Sequence, residues 1–261
     1  MKIFPKLSAC AGLALALTLT LSAPAQAEKL TIAAAADLKF AMSEVVEKFR
    51  ATRPDDQIEV IYGSSGKFFT QIKNGAPFDM YFSADIAFPR ELEKQGLAAG
   101  TTHPYAIGRI VLWSLKPDLA QTALKDLPRA PIRKFAIANP QHAPYGLRAM
   151  EALQHQGVWD AMKPKLVMGE NIAHTAQFID TGAAEAGIVA LALVLSPTMQ
   201  GKGAWTLIPA EWHEPLEQGY VITRRAAGNR LAGDFARYMD SEPARVIMRR
   251  YGFVLPGEEA R

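Results

Sequence analysis

Residues 58–73, reading I-E-V-I-Y-G-S-S-G-K-F-F-T-Q-I-K, constrain the fold more than any other stretch. Ile58 and Val60 are β-branched and apolar, and Tyr62-Gly63 ends the run, so it reads as a short buried strand. Ser64, Ser65 and Gly66 are small and able to cap a helix. Phe68, Phe69 and Ile72 then recur at helical spacing. Strand, small polar turn and helix in that order leave several backbone N–H groups free at one point, with the positive end of a helix dipole behind them. That is the chemistry of an anion site. A plainer reading, in which Ser65 only caps its helix, suits the same residues.

The pattern has an earlier copy at 30–49, L-T-I-A-A-A-A-D-L-K-F-A-M-S-E-V-V-E-K-F. A short apolar strand runs into four alanines, Asp37 stands where a helix N-cap belongs, and Leu38, Ala41, Met42, Val45, Val46 and Phe49 form an apolar helical stripe. In a parallel sheet both turns open at the carboxyl edge of the strands, where α/β proteins bind ligands. The alanine run lets backbone or ligand approach closely, and equally suits tight helix–sheet packing.

Further strands are expected at 78–82, 106–115, 135–138 and 165–167, at the start of 185–195, and at 220–222. Helices are expected to open at 83–85, 143–146 and 171–172, and to cover 231–239 and 243–250. Strands alternating with helices define an α/β fold. The order implies two lobes, with the chain crossing near Tyr105 and again near Val221. Residues 28–105 and 222–261 then form lobe I, and 106–221 form lobe II.

Residues 1–27 read as a signal peptide. Lys2 and Lys6 open it, 11–21 are apolar but too short for a mature membrane span, and A-Q-A at 25–27 fits a small-x-small cleavage site. L-S-A-C at 7–10 precedes the apolar core instead of following it, so lipidation is not expected. Cys10, the single cysteine, would leave with this segment. A mature chain of 234 residues (261 less 27) would hold no thiol or disulfide, which suits an oxidising exported compartment. Losing Lys2 and Lys6 lowers the formal charge from +3 to +1. No lysine–arginine run points to nucleic acid.

At this point the residues carry a family resemblance. The chain resembles the periplasmic molybdate-binding proteins of ABC importers, in the type II periplasmic binding-protein superfamily. The matching blocks are A-A-A-x-L at 34–38, Q-I-K-N-G-A-P-F at 71–78, F-S-A-D at 82–85, Y-A-I-G at 105–108 and I-A-N-P at 137–140. They continue with A-P-Y-G-L at 143–147, G-E-N-I at 169–172, G-I-V-A-L at 187–191 and R-Y-G-F at 250–253. The resemblance implies a two-lobed α/β protein with its ligand in the cleft between lobes and two crossover strands. It implies a periplasmic monomer that captures molybdate or tungstate without a cofactor and delivers the anion to an ABC transporter membrane permease. By the same resemblance Ser65 donates its hydroxyl and amide, Tyr145 lies in a turn whose backbone N–H is used, Ile172 offers a backbone N–H, and Asp37 stands where relatives carry serine or asparagine.

Two departures matter. Many relatives carry a tyrosine donor after the G-I-V block, where this chain has Ala190; the Tyr145 hydroxyl is expected to replace it. The second is the Asp37 carboxylate. Two unit charges about 4 Å apart repel by roughly 4 kcal/mol at an effective dielectric of 20, and a dianion doubles this. That offsets much of the roughly 8 kcal/mol of a micromolar complex. Asp37 is therefore expected to turn away and accept the N–H of Lys39 or Phe40 as an N-cap. The alternatives are neutralisation by Lys39 or Lys67, or a proton shared with a protonated anion. Both lysines also read as a solvated helix face.

Other readings remain in view. The cleft could hold another tetrahedral oxyanion or a small organic anion. An exported serine hydrolase needs a base beside Ser65, and none of His103, His142, His155, His174 or His213 sits in a catalytic motif. No histidine pair has the short spacing of a zinc site. No enzymatic activity is expected.

Overall fold

The computed structural model describes Met1 and residues 28–258; the rest of the expected signal peptide lies outside the described residues. The chain builds a first set of strand–helix units: β1 (Lys29–Ala35), α1 (Lys39–Arg50), β2 (Gln57–Gly63), α2 (Ser65–Lys73), β3 (Met80–Ser83) and α3 (Ala87–Lys94). β1 pairs in parallel with both β2 and β3, so Ala35, Gly63 and Ser83 end at one edge. After β4 (His103–Gly108) the chain enters a second set: β5 (Ile110–Ser114), α4 (Pro117–Ala120), β6 (Phe135–Ala138), α5 (Pro144–His155), α6 (Trp159–Met162), β7 (Leu166–Gly169), α7 (Ile172–Asp180), β8 (Ala186–Ala190), α8 (Leu191–Val194) and β9 (Ala204–Leu207). It then returns through β10 (Leu216–Ile222) and closes with α9 (Arg230–Met239) and α10 (Glu242–Arg250).

The result is two five-stranded sheets, in the orders β2-β1-β3-β10-β4 and β7-β6-β8-β5-β9. Each has a parallel part that carries the helices, plus antiparallel pairings made by β10 in the first sheet and β5 in the second. Apolar stripes seal each sheet. Met42, Val45 and Phe49 of α1 meet Phe235 of α9 on one face of the first, and Ala149, Ala152 and Leu153 of α5 pack on the second. Tyr251 and Phe253 are buried after α10.

Three expectations need correction. The apolar run 106–115 is two strands in different sheets, because Gly108-Arg109 interrupts it. The Arg109 carbonyl leaves both ladders to accept the Leu191 N–H at 2.9 Å. The return strand begins at Leu216 and lies wholly in the first sheet. The sheets therefore exchange at Arg109 and between β9 and β10, not at Tyr105 and Val221. Finally, β2 is an edge strand and not a buried one: its residues are half-buried or exposed. S-A-D at 83–85 opens α3 as expected, with Ile86 already helical and Asp85 Oδ1 accepting the Ala87 N–H at 2.8 Å. The short strand β9 had no sequence expectation, since its residues are largely exposed and it is only four residues long.

Candidate functional site

The carboxyl ends of β1, β2 and β3 face those of β6 and β7 across a cleft. Asp37, Ser65, Tyr145 and Ile172 all line one pocket there, with Ala35, Ala36, Gly63, Ser64, Ala84, Ala143, Pro144 and Asn171. The pocket holds about 190 Å³ of atom-free space, part of it open to solvent. Ser65, Tyr145 and Ile172 occupy the first or second position of α2, α5 and α7. N–H groups at such positions have no intrahelical carbonyl to bond. Three helix starts thus converge on one small volume, with Asp37 inside a short 3-10 turn, 36–38, as the fourth.

Local chemistry orients each group. Ser65 Oγ accepts the Ala84 N–H at 3.0 Å, and the Tyr81 hydroxyl donates to the Ser65 carbonyl at 2.8 Å. With an acceptor site filled, the Ser65 hydroxyl proton is available to donate. Ser65 is not an N-cap: Ser64 holds that position, and its hydroxyl donates across the cleft to the His142 carbonyl. Asn171 caps α7 by accepting the His174 N–H at 3.0 Å, which leaves the Ile172 N–H at the buried start of the helix axis.

Asp37 is 1 % exposed. It caps neither Lys39 nor Phe40, and the helix beginning at Lys39 has no side-chain cap. Its Oδ2 accepts the Tyr145 hydroxyl and Gln218 Nε2, each at 2.9 Å. Gln218 is in turn oriented by the Tyr105 hydroxyl, which donates to its Oε1 at 2.7 Å. Asp37 Oδ1 has no hydrogen-bond partner. Burial pushes the Asp37 carboxyl up to about 6, against the opposing pull of Gln218 and Tyr145. The Tyr145 hydroxyl therefore serves Asp37 instead of standing in for the tyrosine absent at Ala190.

Neither lysine neutralises Asp37. Lys39 is exposed, its ammonium 5.6 Å from the centre of the Phe40 ring. Lys67, on α2, pairs with Glu170 at the other wall of the cleft. The Gly66 N–H also crosses the cleft, to the His142 carbonyl at 2.9 Å. His142 Nδ1 lies 2.9 Å from Ser64 Oγ, so the imidazole stands beside Ser64 and not Ser65. Among the described residues no cluster of histidine, cysteine or carboxylate side chains could hold a metal ion.

Gln218, Tyr105 and Gly108 escaped sequence reasoning. A Cβ on Gly108 would lie 2.3 Å from the Tyr145 hydroxyl oxygen, so only glycine lets that phenol reach Asp37. The available signal was a glutamine in the run L-E-Q-G-Y-V-I, at a position that proves fully buried beside exposed Glu217.

Two sheets, each opening helix N-termini onto a shared interlobe cleft, define a two-lobed solute-binding protein. The chain belongs to the bacterial extracellular solute-binding protein family, whose pattern matches residues 30–254. It is 35% identical to the molybdate-binding protein ModA of Azotobacter vinelandii over 87% of this chain and 90% of that one. Identity to the molybdate-binding protein ModA of Rhodobacter capsulatus is 33%, over 97% of this chain and 99% of that one. The solved structure of the Azotobacter vinelandii periplasmic molybdate-binding protein superposes with a TM-score of 0.82, covering 87% of this chain and 99% of that one.

Proposed function

We propose that the chain captures molybdate or tungstate in the cleft and hands it to an ABC transporter permease. The observation that carries this reading is the convergence of first-turn N–H groups from α2, α5 and α7 on a pocket with no lysine or arginine among its lining residues. Helix N-termini stabilise an oxyanion without a counter-ion, and their fixed spacing matches one anion size. Ser65 donates its hydroxyl and amide, and Tyr145 and Ile172 donate backbone N–H groups. The identity to the two ModA proteins supports molybdate over other tetrahedral anions.

The protein acts as a periplasmic monomer that binds its ligand unchanged, with no cofactor, catalysis or nucleic-acid partner. Its lobes are 28–108 with 216–258, and 109–215. Titration calorimetry with molybdate, tungstate and sulfate tests the reading. Binding of the first two with much weaker sulfate heat is expected. Absence of heat and of any melting shift with all three overturns it.

A further inference from the structure

A carboxylate in the wall of an oxyanion site is an electrostatic contradiction, and the structure contains the means to resolve it. Asp37 Oδ2 is saturated by two donors from other elements, the Tyr145 hydroxyl on α5 and Gln218 Nε2 on β10. Tyr105 on β4 donates to Gln218 Oε1, which turns the amide nitrogen toward Asp37. Asp37 Oδ1 is buried, bonded to nothing and part of a residue that lines the anion pocket. A buried acceptor without a partner is costly, whereas the same atom carrying a proton is a donor able to reach a ligand in the pocket.

We infer that Asp37 is protonated at Oδ1 when a dianionic oxyanion occupies the cleft, so that capture of the anion takes up one proton from solution. The inference rests on the oxyanion reading above and names its proton stoichiometry. The charge balances: a dianion and a proton enter, and the carboxylate becomes a neutral acid that donates to the anion.

Among the described residues no lysine, arginine or histidine pairs with Asp37, and the backbone N–H groups of Asp37 and Leu38 favour its ionised form less than burial opposes it. Tyr145 and Tyr105 are held as neutral phenols by burial, with Tyr81 of β3 beyond them. Lys39 of α1 lies over Phe40, Lys67 of α2 is paired with Glu170, and His142 before α5 has its affinity for a proton reduced by burial and by Lys67. With the empty-cleft carboxyl already raised by burial, a nearby dianion raises it further, because like charge disfavours ionisation. Between those two values binding weakens by about tenfold for each pH unit gained.

The test is calorimetric titration of the full mature chain with sodium molybdate at pH 7.5 in buffers of different ionisation enthalpy. The slope of observed heat against buffer heat counts protons. A slope near one proton taken up is expected for the native chain. For Asp37→Asn, whose amide can donate without titrating, a slope near zero and an affinity independent of pH from 6.5 to 9 are expected. Native binding with zero slope, or a native slope retained in Asp37→Asn, overturns the inference and leaves the oxyanion reading standing. Should Asp37→Asn fail to fold, the native slope alone decides. If neither molybdate nor tungstate binds the native chain, the oxyanion reading fails and takes this inference with it.

Discussion

The Tyr145 hydroxyl donates to Asp37 Oδ2 at 2.9 Å, joining a helix of the second sheet to the carboxyl edge of the first. Both partners are buried, so this bond belongs to the closed arrangement of the cleft. Tyr145→Phe keeps the ring packing and removes the bond. Molybdate affinity is expected to fall by about 0.5–1.5 kcal/mol, the range for a hydrogen bond between neutral groups, since Asp37 is the neutral acid in the loaded cleft. Calorimetry measures the loss; an unchanged dissociation constant would detach this contact from closure.

Ser65→Ala removes the proposed donor and also strands the Ala84 N–H, which Ser65 Oγ now accepts. Binding should weaken by roughly 1.5–3 kcal/mol and unfolding stability by about 1–3 kcal/mol. Denaturant melts and molybdate titrations separate the two effects. A stability loss with unaltered affinity would mean that Ser65 is structural alone.

Stability of the empty protein should depend on pH through Asp37. The folded carboxyl is raised to about 6, above its unfolded value, so the fold prefers the neutral acid. The associated stabilisation is full below the unfolded value near 4 and is lost as pH rises through about 6. Its total is on the order of 3 kcal/mol, from about two decades at 1.36 kcal/mol each. Asp37→Asn lacks this term, so its melting temperature should gain on the native protein as pH rises from 4 to 7. Parallel melting curves across that range would refute the assignment.

Lys67 and Glu170 face each other across the cleft with side chains 48% and 49% exposed. A double-mutant cycle with Lys67→Gln and Glu170→Gln should give a coupling of about 0.2–1 kcal/mol in molybdate affinity. High salt should abolish it. A coupling that survives in 1 M salt would contradict a screened surface pair.

How much of this was legible in the sequence follows from the range of each signal. The strand–turn–helix units at β1–α1 and β2–α2 were readable because alternating apolar residues and small turn residues are local. The convergence of Asp37, Ser65, Tyr145 and Ile172 was reached through motif blocks shared with a family, and no local pattern predicts it. The Asp37 cap failed for a different reason. Aspartate before a helix is usually a cap, but here two buried donors from 108 and 181 residues away outcompete the nearby backbone. The strand break at Arg109 was hidden by its apolar flanks. Only the pairing of Ile107 with Glu217 on one side and of Ile110 with Ala190 on the other reveals that the ladder changes sheets.

That change of sheet within one residue sets the mechanics of the molecule. The sheets are joined covalently only where the chain passes Arg109 and where it runs from β9 to β10. Two tethers define a line, and rigid bodies so joined turn most easily about that line. Gly108 is the last residue of β4, and it touches both the Tyr145 phenol and the Gln218 amide. The Asp37 cluster thus sits at the pivot, where rotation displaces atoms least. Away from it, Ser64, Gly66 and Lys67 on one wall meet His142 and Glu170 on the other. On such a lever, the pivot sets which anion is held, and the jaws set how long it stays.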